Sequence, residues 1–147
     1  AAERACGKKR WPEGGMLDCT TDDVEDRLRQ ELTTVVSGVS IRFAEVESND
    51  RAAFNTTVEL NAIHSKDHFW GRQLCSLVET QYERALRAYE DLRVAVPNCR
   101  NDWDGAEVRE AADHFKDFII PSAPYAGLIR NKFRVMLPPE WCLKLAL

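Results

Sequence analysis

The chain is 147 residues long, 44% hydrophobic and 30% charged, with a formal net charge of −4. That is one domain's worth of protein, long enough to bury roughly two thirds of the surface its unfolded chain would expose. The slight acidity gives no general case for binding nucleic acid or an anionic membrane, and no apolar run reaches the about 18 residues that a spanning helix needs.

In chain order, residues 1–18 carry Gly7, Pro12, Gly14 and Gly15 without periodicity and predict an irregular N-terminal arm. Thr20 or Thr21 then caps a predicted helix, with Asp22, Asp23 and Glu25 in its first turn. Val24, Leu28, Leu32, Val35, Val39, Phe43 and Val46 recur at three- and four-residue spacing, which is a helical stripe. Val39-Ser40-Ile41-Arg42-Phe43 also alternates as a strand would, but the unbroken phase favours helix. Ser48-Asn49-Asp50 reads as a turn and a new N-cap.

From Arg51 to Arg93 there is no proline, and Gly71 is the single glycine. Trp70, Leu74, Val78, Tyr82, Ala85, Tyr89 and Leu92 form a second stripe, with Trp70 expected in the core. Phe54, Val58 and Ile63 fall out of phase with it, so a break is expected near Ser65–Asp67. Pro97-Asn98-Cys99 ends this region. Asp102 or Asp104 caps a further helix presenting Val108, Ala111, Ala112, Phe115, Phe118 and Ile119, and Pro121 and Pro124 stop it. Phe133, Val135 and Leu137 alternate ahead of Pro138-Pro139 and predict an extended tail over 125–147. No repeat or linker divides the chain. The expected fold is all-α: one domain over residues 1–147, a disulfide-tied bundle of three or four helices with an irregular N-terminal arm and an extended C-terminal tail.

Charge is polarised along this plan. Arg4, Lys8, Lys9 and Arg10 make the start basic, Asp18, Asp22, Asp23, Glu25, Asp26 and Glu31 make the next stretch acidic, and Arg130, Lys132, Arg134 and Lys144 make the end basic. The plain reading is a solvated acidic helix with basic ends; the sharper one is a polarised surface that steers a charged partner.

The 5 cysteines are Cys6, Cys19, Cys75, Cys99 and Cys142. None forms a C-x-x-C pair, which removes zinc-ribbon and thioredoxin readings. Wide spacing in a small chain fits disulfides in an oxidising compartment. The expected pairs are Cys6–Cys19 near the N-terminus and Cys75–Cys99 across a turn, and the odd cysteine is left free or links a homodimer. Asn55-Thr56-Thr57 is a glycosylation sequon. The opening Ala-Ala-Glu, without Met, fits a processed secretory protein, so a secreted or periplasmic location is expected.

The stretch His64 to Cys75, HSKDHFWGRQLC, carries the sharpest chemical candidate. On a helix His64, His68 and Cys75 share one face, opposite Trp70 and Leu74. A His pair at i,i+4 is the spacing a metal wants, so a small metal-binding protein or enzyme is the alternative function. Against it, the glutamate base of H-E-x-x-H is missing, Lys66 repels a cation, and Cys75 is claimed by the disulfide. No P-loop, dinucleotide fingerprint or nucleophile elbow is present, and no cofactor is expected. Trp11 and Trp141 sit in irregular, basic segments and are candidate aromatic anchors of an interface.

The run Phe69-Trp70-Gly71-Arg72-Gln73-Leu74-Cys75, followed by Tyr82, Arg84 and Leu86, resembles the W-x-x-R-x-x-C segment of LprI-type lysozyme inhibitors. That resemblance implies a small helical, disulfide-tied domain outside the cytoplasm that binds and blocks lysozyme. It makes Trp70 the helix tryptophan, sets Arg72 near the family's arginine position, and makes Cys75 a disulfide cysteine. The expectation is a non-enzymatic protein of inhibitor, immunity or effector type, which binds another protein through a helical surface including Trp11, Arg72 and Trp141.

Overall fold

The structure, a computed structural model, describes residues 13–18, 20–36 and 38–147. The expected Cys6–Cys19 pair, Trp11 and most of the irregular arm lie outside the described residues. The chain forms two compact units, one from Ala1–Arg29 and Phe43–Ile63, the other from Gln30–Arg42 and His64–Leu147.

The fold is not all-α. A short helix α1 (Val24–Arg27) is followed by a hairpin of strands β1 (Leu28–Val35) and β2 (Gly38–Glu45) where a long helix was expected. The spacing that misled is ambiguous by construction: residues four apart share a face on a strand as well as on a helix. Leu28 and Leu32 are buried, and so are Val39 and Phe43, each pair four apart. The strand period is declared by Ile41, buried between Val39 and Phe43. Thr33, Thr34, Val35 and Val36 are β-branched and disfavour helix. Gly38 has φ +105°, and a Cβ there would run into the Glu79 carboxylate, so the turn is built for glycine. The register shows in the bond from Val46 N to Arg27 O (3.0 Å) and in the Thr33 hydroxyl donating to Ser40 O (3.2 Å).

In the first unit, α2 (Arg51–Ile63) turns its polar side inward. Asn55, Thr56 and Thr57 are buried. Asn55 Nδ2 donates to Glu13 O (3.0 Å) and Gly15 O (2.7 Å), and Thr56 Oγ1 accepts from Leu17 N (2.9 Å). Asn61 accepts from Phe43 N (2.8 Å) and donates to Phe43 O (2.9 Å), as a neighbouring strand would. Asp50 caps the helix by accepting from Ala53 N (3.0 Å). Its carboxylate also takes a fork from Arg27, with Nε to Oδ2 at 2.6 Å and Nη2 to Oδ1 at 2.7 Å. A third Arg27 nitrogen, Nη1, reaches Asp22 at 3.0 Å.

In the second unit, α3 (Phe69–Asn98) is the backbone of a helical core, and α4 (Ala106–Lys116) packs along it. Gly71, Cys75, Val78, Tyr82, Ala85, Ala88, Leu92 and Val96 face inward. The small residues among them let neighbours approach closely. Val108, Ala112 and Phe115 answer from α4. The tail expected to be extended is two helices instead, α5 (Ala126–Met136) and α6 (Pro139–Leu145). Ile129, Phe133 and Leu137 are buried at four-residue spacing, whereas Val135, which made the sequence look alternating, is exposed. Leu137 is extended ahead of Pro138, as a residue before proline must be, and Pro139 opens α6 at a position that needs no N–H. Phe115 and Phe133 meet edge to face at 4.8 Å, with Tyr89 5.5 Å and Tyr82 6.0 Å from Phe133.

The disulfide framework fails among the described residues: Cys75, Cys99 and Cys142 are free thiols. Cys75 lies near the start of α3 and Cys99 caps its end, so the helix rise of about 1.5 Å per residue holds the expected pair about 36 Å apart.

Candidate functional site

The expected break between helices is real, and it builds a platform. α2 ends at Ile63 and α3 begins at Phe69. Ser65 O accepts from His68 N (3.0 Å), and Ser65 Oγ accepts from Asp67 N (3.2 Å). The Arg72 guanidinium folds back on this turn, Nη1 donating to Lys66 O (2.9 Å) and Asp67 O (3.2 Å). Gly71 makes the arrangement fit, because any Cβ there would collide with the Ser65 carbonyl. The Arg72 side chain is thus exposed but engaged by its own chain.

This platform presents apolar rings to water. Trp70 is 77% exposed and Phe69 56%, with their rings 5.1 Å apart at 73°. Two turns on, Leu77 is 56% exposed. Gln73 lies between them and is exposed as well. The expected stripe Trp70, Leu74, Val78, Tyr82, Ala85, Tyr89 and Leu92 holds at Val78, Tyr82, Ala85 and Leu92, which are buried, and fails at its start. The buried arc begins at Gly71 and Cys75, so Trp70 stands at its outer edge and Cys75, 2% exposed, lies within it.

That inversion dissolves the proposed metal face. His68 is exposed, His64 is half-buried and Cys75 is in the core. Among the described residues no three His, Cys, Asp or Glu side chains come together in a way that would hold a metal ion. Cys99 is a poor nucleophile: partial burial pushes its thiol up, and the Glu107 carboxylate, with an oxygen 3.7 Å from the sulfur, adds to the effect.

Trp141 stands away from this platform in the sequence. It is half-buried, 5.1 Å from Trp103 at 88° and 6.3 Å from Tyr89, so it extends the aromatic core. Asn55 is buried with its amide nitrogen committed to two carbonyls. Sequence reasoning named Arg72 but missed Phe69 and Leu77, and placed Trp70 inside. The usable signal was the row of small residues Gly71, Ala85 and Ala88, which marks the close-packed side of α3 and so puts Trp70 and Leu77 off it.

Comparison with protein-family models, curated proteins and solved structures returned no match to this chain.

Proposed function

We propose that this protein binds another protein through the outward face of the first turns of α3, with Phe69, Trp70 and Leu77 as its anchors. The observation that carries the reading is the exposure of Trp70 beside Phe69 on a turn that is itself pinned by Arg72 and Gly71. Exposed apolar groups scattered singly need no explanation, but an aromatic pair in mutual contact, with an aliphatic neighbour two turns on, forms a patch. Tryptophan dominates the energetics of protein interfaces because it buries much area at little entropic cost. Preorganisation of the backbone adds to this, since a turn already pinned before binding loses less freedom on docking.

The test is a photo-crosslinking residue at position 73, in cells that make the protein. One discrete adduct is expected, reduced by Trp70→Ala and by Leu77→Ala, with none from the same probe at the exposed Arg109 of α4. No adduct at position 73, or one that Trp70→Ala leaves unchanged, would sink the reading.

A further inference from the structure

The buried face of α3 carries a single side-chain oxygen, the hydroxyl of Tyr82. Tyr82 is 7% exposed. Its oxygen accepts a hydrogen bond from the Thr34 side chain of β1, and its O–H donates to the Met136 sulfur, 3.7 Å away at the last residue of α5. One hydroxyl thus joins the hairpin, α3 and α5. A buried phenol needs an acceptor, and a thioether is a weak one. The link to α5 is a weak bond in a place where a strong one would serve.

Met136 is also within reach of water, with 43% of its surface exposed. A small oxidant can therefore meet its side chain. With hydrogen peroxide the chemistry is a two-electron oxygen transfer. The thioether sulfur attacks one peroxide oxygen, and an S–O bond forms as the O–O bond breaks. The proton on the transferred oxygen passes to the departing hydroxide and leaves as water. Sulfur is oxidised, peroxide is reduced, and the product is methionine sulfoxide.

The new oxygen is a much stronger acceptor than the sulfur it is bonded to. The separation of 3.7 Å between the Tyr82 oxygen and the sulfur suits it, because a hydroxyl bonded to a sulfoxide oxygen stands at about that distance from the sulfur, with the oxygen set off the line between them. An unbranched side chain with three rotatable bonds can turn that oxygen toward Tyr82. Its exposed part stays in water, so no polar group is driven into the apolar core. We infer that Met136 is a site of peroxide modification whose sulfoxide acts as a latch: oxidation exchanges the O–H···S bond from Tyr82 for an O–H···O bond and fastens the end of α5 to α3. Oxidation in a packed core disrupts it, whereas here it adds a bond. The sulfoxide is chiral and each epimer has its own reductase. One epimer directs its oxygen at Tyr82, and removing that oxygen opens the latch.

The experiment uses the full chain with Met16→Leu, which leaves Met136 as the sole methionine. The protein is treated with hydrogen peroxide, then with a thiol reductant that reverses cysteine oxidation to sulfenic acid or disulfide and spares the sulfoxide. Peptide mapping locates the added oxygen, and thermal denaturation follows. Oxidation at Met136 is expected to raise the midpoint by about 2–4 °C, the effect of one strengthened hydrogen bond in a chain of this size. Tyr82→Phe is expected to abolish the rise. A second readout keeps Tyr82 in place: of the two epimer-specific reductases, applied singly, only one is expected to return the midpoint to its starting value. A midpoint unchanged or lowered by oxidation would overturn the latch. So would an equal rise in Tyr82→Phe, equal reversal by both reductases, or a Met136 that survives peroxide under conditions that convert free methionine.

Discussion

Arg27 and Asp50 are locked in a two-pronged ion pair, 2.6 Å and 2.7 Å, in which the same carboxylate also caps helix α2. The Arg27 hydrogen bonds, helped by backbone N–H groups of the first helical turn, hold the Asp50 carboxyl down at about 2. A carboxylate depressed in this way contributes stability that is complete above its ordinary value and is lost as pH falls through the folded one. Urea unfolding of the wild type is therefore expected to show stability falling between about pH 4 and pH 2. Asp50→Asn lowers stability at neutral pH and flattens that acid limb. An Asp50→Asn variant with an unchanged acid limb would show that the pair contributes nothing.

Asn61 closes the outer edge of β2 by exchanging both hydrogen bonds with Phe43. Asn61→Ala leaves that N–H and C=O without their protein partner, and the cost is expected at about 1–3 kcal/mol. Asn61→Asp keeps the acceptor and loses the donor. It is expected to protect the Phe43 amide from hydrogen exchange better than alanine does, while remaining less stable than wild type. Equal exchange at Phe43 in all three proteins would refute the pairing.

Gly71 gives the sharpest packing prediction. A single added methyl meets the Ser65 carbonyl, which is backbone and cannot swing aside. Gly71→Ala is expected to cost about 1–3 kcal/mol and to release the turn that Arg72 holds. Thermal denaturation measures the first effect, and loss of proteolytic protection between Ser65 and Asp67 measures the second. A variant as stable as the wild type would mean that the turn does not pack against α3.

Asn55 lies in a glycosylation sequon, yet both hydrogens of its amide nitrogen serve the Glu13 and Gly15 carbonyls. A glycan takes one of those hydrogens and requires space that a buried side chain lacks. Passed through a glycosylating secretory route, the folded protein is expected to carry Asn55 bare, with intact mass unchanged by glycosidase and shifted by Thr57→Ala only by the substitution itself. A glycan on the folded form would contradict the seating of residues 13–17 on α2.

The sequence was legible where one period and one set of breakers agreed. The break near Ser65–Asp67, the end of α3 within Pro97-Asn98-Cys99 and the Val108–Phe115 face of α4 were all readable in advance. The hairpin was not, because four-residue spacing serves both a helix and a strand, and the deciding Ile41 and Gly38 are single residues. The C-terminal helices were hidden by Val135, an exposed valine that mimics alternation. For the site, Arg72 and the aromatic turn were noticed, but the phase of α3 was read from its largest residues. Val78, Tyr82, Ala85 and Leu92 are buried as that reading had them, but at the start of the helix the weight of tryptophan outvoted Gly71 and Cys75, which are the residues that face inward. The outward Phe54, Val58 and Ile63 of α2 defeat the same logic, because that helix is oriented by hydrogen bonds from its polar side.

Those hydrogen bonds from α2 have a consequence for how this protein can change. Asn55, Thr56 and Asn61 grip main-chain groups of Glu13, Gly15, Leu17 and Phe43; every residue type offers the carbonyls, and every type except proline the N–H groups. At Glu13 and Leu17 the held segment is thus free to drift in sequence while its course is kept, whereas Gly14 and Gly15, at positive φ, are fixed by backbone conformation and Phe43 by burial. The three gripping side chains are not free to drift. Tolerance to substitution should be lopsided, broader at Glu13 and Leu17 than at the few small polar positions of α2 that hold them.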